Sequence, residues 1–282
     1  SRSSRTASNS IGATTPYRSR FERRRSAMKI AIAQIAPVVG DFEKNVALIL
    51  EAYERACSPA PAGRGDRPGP ARLLLTPELS VSGYALLDLL ERPEIFSRTE
   101  AAIARIAERT RGRKTALAVG HVARTEGDRG RSARNCVSVL DDGRVVFTQS
   151  KTLLPTYDVF DEARYFEPAT AHSLWETKDE NGKTVKLGFA ICEDLWGGDP
   201  VGGRKIYGKV PVDEYEKLGP DVLISVSASP YEFGKRERRE SLHSSIAKRL
   251  SSPIVYVNQV GATDDILFDG ASFALDRKGS LR

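Results

Sequence analysis

Short apolar runs and stretches of helical periodicity alternate along the chain from Lys29 onward. Each continuous apolar run predicts a buried strand, because a strand covered on both faces needs no polar side. Strands are predicted at 29–36, 72–76, 115–122, 136–140, 145–149, 185–191, 222–226, 254–258 and 271–275. Helices are predicted at 42–57, 97–111 and 235–250. Strands interleaved with a few long helices indicate an α/β protein whose sheets are covered by helices on their outer faces.

Local signals set the expected ends of these elements. Asp41 precedes the first helix and is predicted to be its N-cap. Ser97 and Glu100 have the spacing of a capping box, which predicts that the second helix begins there. The stretch at 58–71 is rich in proline and glycine and predicts a surface loop. We expect one domain from Met28 onward, because no repeat or interdomain linker follows it.

Composition narrows the classes of function. With 40% apolar and 28% charged residues among 282, the chain has the composition of an ordinary soluble protein. No apolar run approaches the roughly 20 residues that cross a bilayer, so no membrane partner is expected. The cysteines are odd in number and far apart, and the histidines form no metal-binding motif. These observations predict a reducing, cytoplasmic location and no metal site.

The excess of basic residues that gives the net charge of +6 lies in one segment of the chain. Residues 1–27 contain seven arginines, no lysine and one acidic residue. Subtracting these from the 43 basic and 37 acidic residues of the chain leaves 36 of each. The composition of this Arg- and Ser-rich tail predicts a disordered leader. An organellar transit peptide and an RNA-binding arm are the functional alternatives for the tail, but no nucleic-acid partner is expected.

Three reactive side chains follow predicted strands. Glu78 comes after the strand at 72–76, Lys151 after the strand at 145–149, and Cys192 after the strand at 185–191. Catalytic groups of layered α/β proteins tend to lie where strands end, so these side chains form a possible base, oxyanion stabiliser and nucleophile. A helical turn after Cys192 would favour its thiolate. Taken singly, each residue is more often structural or solvated.

The residues around these side chains carry a family resemblance. TPELSVSGY at 76–84, KTLLPTYDVFDEARYF at 151–166 and ICEDLW at 191–196 resemble the motifs of the nitrilase superfamily of C–N hydrolases, whose triad is Glu, Lys and Cys. The middle motif is similar to the glutaminase domain of glutamine-dependent NAD synthetases. Supporting matches follow in SASPYEFGK at 227–235, VNQVG at 257–261 and FDGAS at 268–272.

This resemblance implies roles for individual residues. Glu78 would be the general base, and Cys192 would attack the side-chain amide of glutamine to give a thioester and ammonia. Lys151 and the backbone N–H of Glu193 would stabilise the oxyanion.

The resemblance also implies a glutamine pocket. Tyr157, Ser229 and Lys235 match its positions. Glu162 matches a second acid near the thiol, and Tyr84 is expected to pack close to the base.

The same resemblance implies a four-layer α-β-β-α sandwich that forms homo-oligomers. The glutaminase step would need no cofactor, whereas the synthetase domain of the family uses ATP and Mg to amidate deamido-NAD. We expect that domain to be absent and the glutaminase domain at 28–282 to be incomplete at its C-terminal end, where 276–282 begins to turn.

Two alternatives stay open at this point. A stand-alone amidase or carbamoylase of the same superfamily would share Glu78, Lys151 and Cys192. A non-catalytic protein that binds nucleic acid through the arginine-rich tail belongs to a different class.

Overall fold

The computed structural model describes residues 28–58, 70–198 and 204–282. The predicted leader at 1–27 and most of the predicted loop at 58–71 lie outside the described residues. The first sheet consists of β1 (Ile30–Ile32), β2 (Leu73–Leu75), β3 (Ala116–Arg124), β4 (Ala133–Asp141) and β5 (Arg144–Ser150), in that order. The second sheet consists of β6 (Leu174–Lys178), β7 (Thr184–Ile191), β8 (Val222–Ser227), β9 (Ile254–Asn258) and β12 (Phe273–Leu275). Its strand order is β12-β9-β8-β7-β6.

The remaining described elements connect and cover the sheets. A separate hairpin is formed by β10 (Val260–Thr263) and β11 (Ile266–Asp269). The helices are α1 (Phe42–Cys57), α2 (Pro93–Arg109), the one-turn α3 (Glu162–Tyr165), α4 (Pro211–Leu218) and α5 (Lys235–Leu250). None of the helices in the described ranges is long and apolar enough to span a membrane.

Three hydrophobic cores separate four layers. The first core joins the first sheet to α1 and α2 and contains Ile49 and Ile106. The second lies between the two sheets and contains Leu75 and Phe189. The third joins the second sheet to α4 and α5 and contains Ile246. The protein is therefore an α-β-β-α sandwich, which confirms the predicted fold class.

The centre of each sheet is parallel, and this arrangement positions the site. β1, β2 and β3 are parallel, as are β7, β8 and β9, while β4, β5, β6 and β12 are antiparallel to their neighbours. The carboxyl ends of parallel strands meet at one edge of a sheet, where ligand sites form in α/β proteins. Loops that follow β2, β7 and β8 can therefore meet across the two sheets.

Elements with a strong local pattern have the predicted bounds. α1, α5 and β9 agree with the predicted ranges. The side chain of Asp41 accepts a hydrogen bond from the backbone N–H of Lys44, as expected of an N-cap. The turn predicted near the last residues is present, and Leu281 pairs with Leu275 in an antiparallel bridge.

The predicted start of the second helix is wrong. α2 begins at Pro93, four residues before Ser97, and Pro93 occupies the first turn. Proline suits this position because its fixed φ matches the helix and its missing N–H needs no partner there. Ser97 lies inside the helix, where its hydroxyl donates to the carbonyl of Glu94.

Other differences follow from long-range pairing. β1 is shorter than the predicted 29–36 because the chain leaves the sheet after Ile32, and the carbonyl of Ile35 accepts a hydrogen bond from Val260. The sequence did not predict β6, α4 or the β10–β11 hairpin. These elements are short and partly exposed, so their patterns are weak.

We expect Phe189→Ala to lower the free energy of unfolding by about 3–5 kcal/mol, because it leaves a cavity between the sheets. Phe189 is 0% exposed and its ring lies 5.5 Å from that of Phe147. Urea unfolding measures the change. The same substitution at Phe233, which is 93% exposed, is the control and should change stability by less than about 0.5 kcal/mol. Equal effects at the two positions would contradict the assignment of the inter-sheet core.

Candidate active site

The structure brings together the three reactive side chains that follow strands. Lys151 comes directly after β5, Cys192 directly after β7, and Glu78 three residues after β2. Nζ of Lys151 donates a hydrogen bond of 2.7 Å to Oε1 of Glu78. Cys192 lies within electrostatic range of both groups. Since β2 and β5 belong to one sheet and β7 to the other, the site joins the two halves of the sandwich.

The carboxylate of Glu78 is held by donors from three parts of the fold. Besides Lys151, Nδ2 of Asn135 on β4 donates to Oε1 over 2.7 Å. The backbone N–H of Ala228, directly after β8, donates to Oε2 over 2.9 Å. Glu78 is only 1% exposed, so this carboxylate has one fixed orientation. Asn135 was not among the predicted site residues, because it directly precedes the predicted strand at 136–140 and has no motif around it.

Lys151 lies between two buried carboxylates. Its Nζ also donates to Oε1 of Glu162 over 2.8 Å, and the hydroxyl of Tyr84 donates to the same oxygen over 2.9 Å. Burial lowers the pKa of Lys151, but Glu162 and Glu78 outweigh it and hold that pKa well above its ordinary value. Lys151 is therefore a permanent cation. Glu162 and Tyr84, predicted as supporting residues, both contact this cluster.

The charge of Glu162 depends on pH near neutrality. Burial raises the pKa of Glu162 to about 7, against the opposing effect of Lys151. Its Oε2 is buried and has no hydrogen-bond partner among the described residues. This carboxyl group therefore changes its charge near neutral pH.

Cys192 lies at a sharp turn. It begins a 3-10 turn over Cys192–Leu195. Its φ is 44°, a left-handed value that is uncommon for residues other than glycine. Burial and the charge of Glu78 raise the pKa of Cys192, and Lys151 only partly opposes them. The predicted turn after Cys192 is present, but burial and Glu78 outweigh any stabilisation of the thiolate that it gives, so Cys192 needs a base to act as a nucleophile.

Asp194 joins the nucleophile turn to the lysine loop. Its Oδ1 accepts from the backbone N–H groups of Thr152 and Leu153, each over 2.9 Å. Its Oδ2 accepts from the N–H of Ile191 over 3.0 Å. A single buried carboxylate thus fixes the segments on either side of the site. Asp194 lies within the ICEDLW motif, but no role was predicted for it.

Glu193 places a second carboxylate beside the thiol. Its Oε1 accepts from the hydroxyls of Tyr157 and Tyr207, each over 2.8 Å. Burial raises the pKa of Glu193, and the two tyrosines oppose this effect. The role predicted for Glu193 concerns its backbone N–H alone, and Tyr207 was not predicted because no signal in the sequence marks it.

The other predicted pocket residues follow β8. Ser229 is buried, and Asn258 binds its backbone. Lys235 is partly buried at the first residue of α5. Burial lowers the pKa of Lys235 and the nearby Cys192 opposes this effect, which places its ammonium within electrostatic range of the thiol. No group of three or more His, Cys, Asp or Glu side chains within the described parts of the chain is arranged to hold a metal ion.

The fold and the site define a member of one enzyme class. The family model of the Carbon-nitrogen hydrolase family matches residues 29–281, so the chain belongs to that family. The glutamine-dependent NAD(+) synthetase of Synechocystis sp. is 38% identical to it over 257 residues, which cover 89% of this chain and 43% of that protein. The enzyme of the same name from Acinetobacter baylyi is 34% identical over 256 residues and is covered to 41%. The resemblance inferred from the motifs is confirmed.

Solved structures agree with this assignment. A glutamine-dependent NAD+ synthetase from Acinetobacter baumannii, in complex with adenosine diphosphate, superposes with a TM-score of 0.74 at 35% identity, over 90% of this chain and 42% of that one. An amidase from Nesterenkonia sp. superposes with a TM-score of 0.71 at 22% identity, over 92% of this chain and 86% of that one. The latter likeness shows the fold alone. The chain spans about two fifths of the length of the curated relatives it matches.

We expect Cys192 to remain a thiol at pH values where an ordinary cysteine ionises. A raised pKa leaves less thiolate at any given pH, so folded Cys192 should show little thiolate at about pH 8.5, where an unperturbed cysteine is half ionised. The difference in ultraviolet absorbance between the parent protein and Cys192→Ser measures this thiolate. In urea the same difference should titrate near the ordinary value. Thiolate absorbance in the folded protein at neutral pH would refute the expectation.

Proposed function

We propose that this chain is a glutamine amidohydrolase that releases ammonia from L-glutamine through a thioester on Cys192. The observation that carries the proposal is the position of a buried thiol beside the Glu78–Lys151 pair, with groups of opposite charge, Glu193 and Lys235, near it. The pair supplies a base and a cation for amide hydrolysis. The two charged groups suit the ammonium and carboxylate of an amino acid.

In the first step Sγ of Cys192 attacks the side-chain amide carbon while Glu78 takes the thiol proton. The oxyanion forms beside Nζ of Lys151 and the backbone N–H of Glu193. Among the described residues, Lys151 gives two of its three N–H donors to carboxylates, which leaves one for the oxyanion. When the tetrahedral intermediate collapses, the C–N bond breaks and Glu78 returns its proton to the departing ammonia.

In the second step water attacks the thioester carbon. Glu78 takes a proton from the water, and the oxyanion again forms beside Lys151. The C–S bond breaks, glutamate leaves, and the proton returns to the sulfur of Cys192. All groups in this sequence belong to the chain, the substrate or water, so we propose that the step uses no cofactor and no metal.

The proposed pocket distinguishes glutamine from simple amides by charge. The carboxylate of Glu193, oriented by Tyr157 and Tyr207, would bind the α-ammonium group. Lys235 would bind the α-carboxylate, and Ser229 would line the pocket between them. A simple amide offers neither charge, so it would leave Glu193 and Lys235 without the opposite charges that glutamine supplies.

The wider reaction follows from the relatives. Because these are named glutamine-dependent NAD(+) synthetases, we propose that the released ammonia amidates deamido-NAD in a linked synthetase domain that uses ATP and Mg. This chain aligns with only about two fifths of such proteins, so the proposal assigns it the glutaminase step alone.

The base and the oxyanion cation are tested by glutamine hydrolysis. We expect Lys151→Met to lower kcat by about 10²- to 10³-fold, as for the loss of one oxyanion donor. Glu78→Gln should lower it by about 10²- to 10⁴-fold, because it removes the general base. Ammonia release from glutamine measures both. Glu176→Gln, which changes an exposed acid on β6, is the control and should behave like the parent protein. Unchanged turnover in Glu78→Gln would overturn the proposal.

The substrate is tested by trapping and by comparison of substrates. A diazo-ketone analogue of glutamine should add once, to Cys192, and excess glutamine should block the adduct seen by mass spectrometry. Glu193→Gln should raise KM for glutamine but change the hydrolysis of propionamide little, because propionamide has no ammonium group. Better turnover of simple amides or N-carbamoyl amino acids than of glutamine would indicate the amidase alternative.

A further inference from the structure

Asn258 continues the pairing of two parallel strands beyond their ends. It is the last residue of β9 and lies opposite Ser227, the last residue of β8. Its Oδ1 accepts from the backbone N–H of Ser229 over 2.8 Å, and its Nδ2 donates to the carbonyl of Ser229 over 3.1 Å. The primary amide of this side chain thus bonds both polar groups of one residue, as a neighbouring strand would. Asn258 is completely buried, so water cannot replace these bonds.

The residue before Ser229 holds the proposed base. The N–H of Ala228 donates to Oε2 of Glu78 over 2.9 Å. The N–H of Ala228 belongs to the peptide unit that joins Ser227 to Ala228, directly before the unit that carries the N–H of Ser229. Because Asn258 bonds both polar groups of Ser229 and pairs with Ser227, the backbone is held on both sides of Ala228, and this limits the direction of its N–H. Asn258 therefore holds Ser229, which lines the proposed pocket, and supports the segment that presents the N–H of Ala228 to Glu78.

Asn258 is itself held from the first half of the sandwich. Its backbone N–H donates to Oγ of Ser272 over 3.1 Å. Both Oγ and the backbone N–H of Ser272 donate to Oε1 of Gln34, over 2.9 and 3.1 Å. Gln34 follows β1, so a continuous chain of hydrogen bonds joins the first sheet to Ser229.

We infer that Asn258 is a positioning residue: it orients the carboxylate of Glu78 through Ala228 and the pocket through Ser229, without touching the substrate. The kinetic part of this inference rests on the proposed glutaminase function. The structural part does not, because it concerns the reactivity of Cys192 alone.

The experiment compares Asn258→Ala and Asn258→Asp with Val257→Ala. The aspartate conserves volume, which guards against unfolding as the cause, but when ionised it has no donor for the carbonyl of Ser229. Val257 is the neighbouring residue of β9, equally buried, and faces the core between the sheets. Urea unfolding, kcat and KM for glutamine, and the rate of Cys192 alkylation by iodoacetamide are measured for each variant.

We expect both Asn258 variants to lower kcat by about 10- to 100-fold, the cost of a misplacement near 1 Å, and to raise KM. Alkylation of Cys192 should slow as well, because Glu78 no longer faces the thiol correctly. Val257→Ala should lose stability and keep kcat and alkylation close to those of the parent.

Asn258 variants that match Val257→Ala in kcat, KM and alkylation would overturn the inference and leave Asn258 a merely structural residue. A parent protein that does not hydrolyse glutamine would refute the proposed function instead. The alkylation rates would then still decide the role of Asn258, since iodoacetamide does not use the glutamine pocket.

Discussion

Lys151 places an ammonium group in the interior of the protein, where it donates hydrogen bonds to Glu78 and Glu162. A buried charge is tolerated only when it is paired, and removal of one partner typically costs about 3–5 kcal/mol. The three residues come from the loop after β2, the end of β5 and α3. The requirement to pair this cation therefore holds three separate segments in one arrangement, and that arrangement is the site.

The four layers make such a cluster possible. Helices cover the outer face of each sheet, so the strand ends are buried from several sides and water is kept from the charged groups. Two further side chains connect the segments beyond the strands. Asp194 joins the lysine loop to the turn of Cys192, and Asn258 joins β9 to the loop after β8. In Asp194 and in Asn258, both polar atoms of the side chain form hydrogen bonds with backbone groups. These bonds leave the connected segments little freedom to move.

The sequence predicted those features whose signals lie in neighbouring residues of the chain. α1 and α5 were predicted because the residues that determine where they begin and end lie within or next to each helix. The start of α2 differs from the prediction because Pro93, and not the capping pattern at Ser97, marks the first turn of the helix. The proximity of Glu78, Lys151 and Cys192 was predicted because these residues follow strands and stand in motifs. Pairs such as Glu193 with Tyr207 were missed, since each residue has an ordinary local setting and only the fold makes them neighbours.

Burial and the charges of the cluster together raise the pKa of Cys192. With Glu162 ionised, two carboxylates face one ammonium, and the net negative charge opposes a thiolate on Cys192. Protonation of Glu162, whose pKa burial raises to about 7, makes the cluster neutral and weakens this opposition. In the mechanism that we propose, proton transfer to Glu78 becomes favourable as the sulfur bonds to the amide carbon and the negative charge moves to the oxyanion beside Lys151. In the proposed reaction, formation of the nucleophile is thus coupled to its attack, because Glu78 takes the proton as the sulfur bonds to the electrophile.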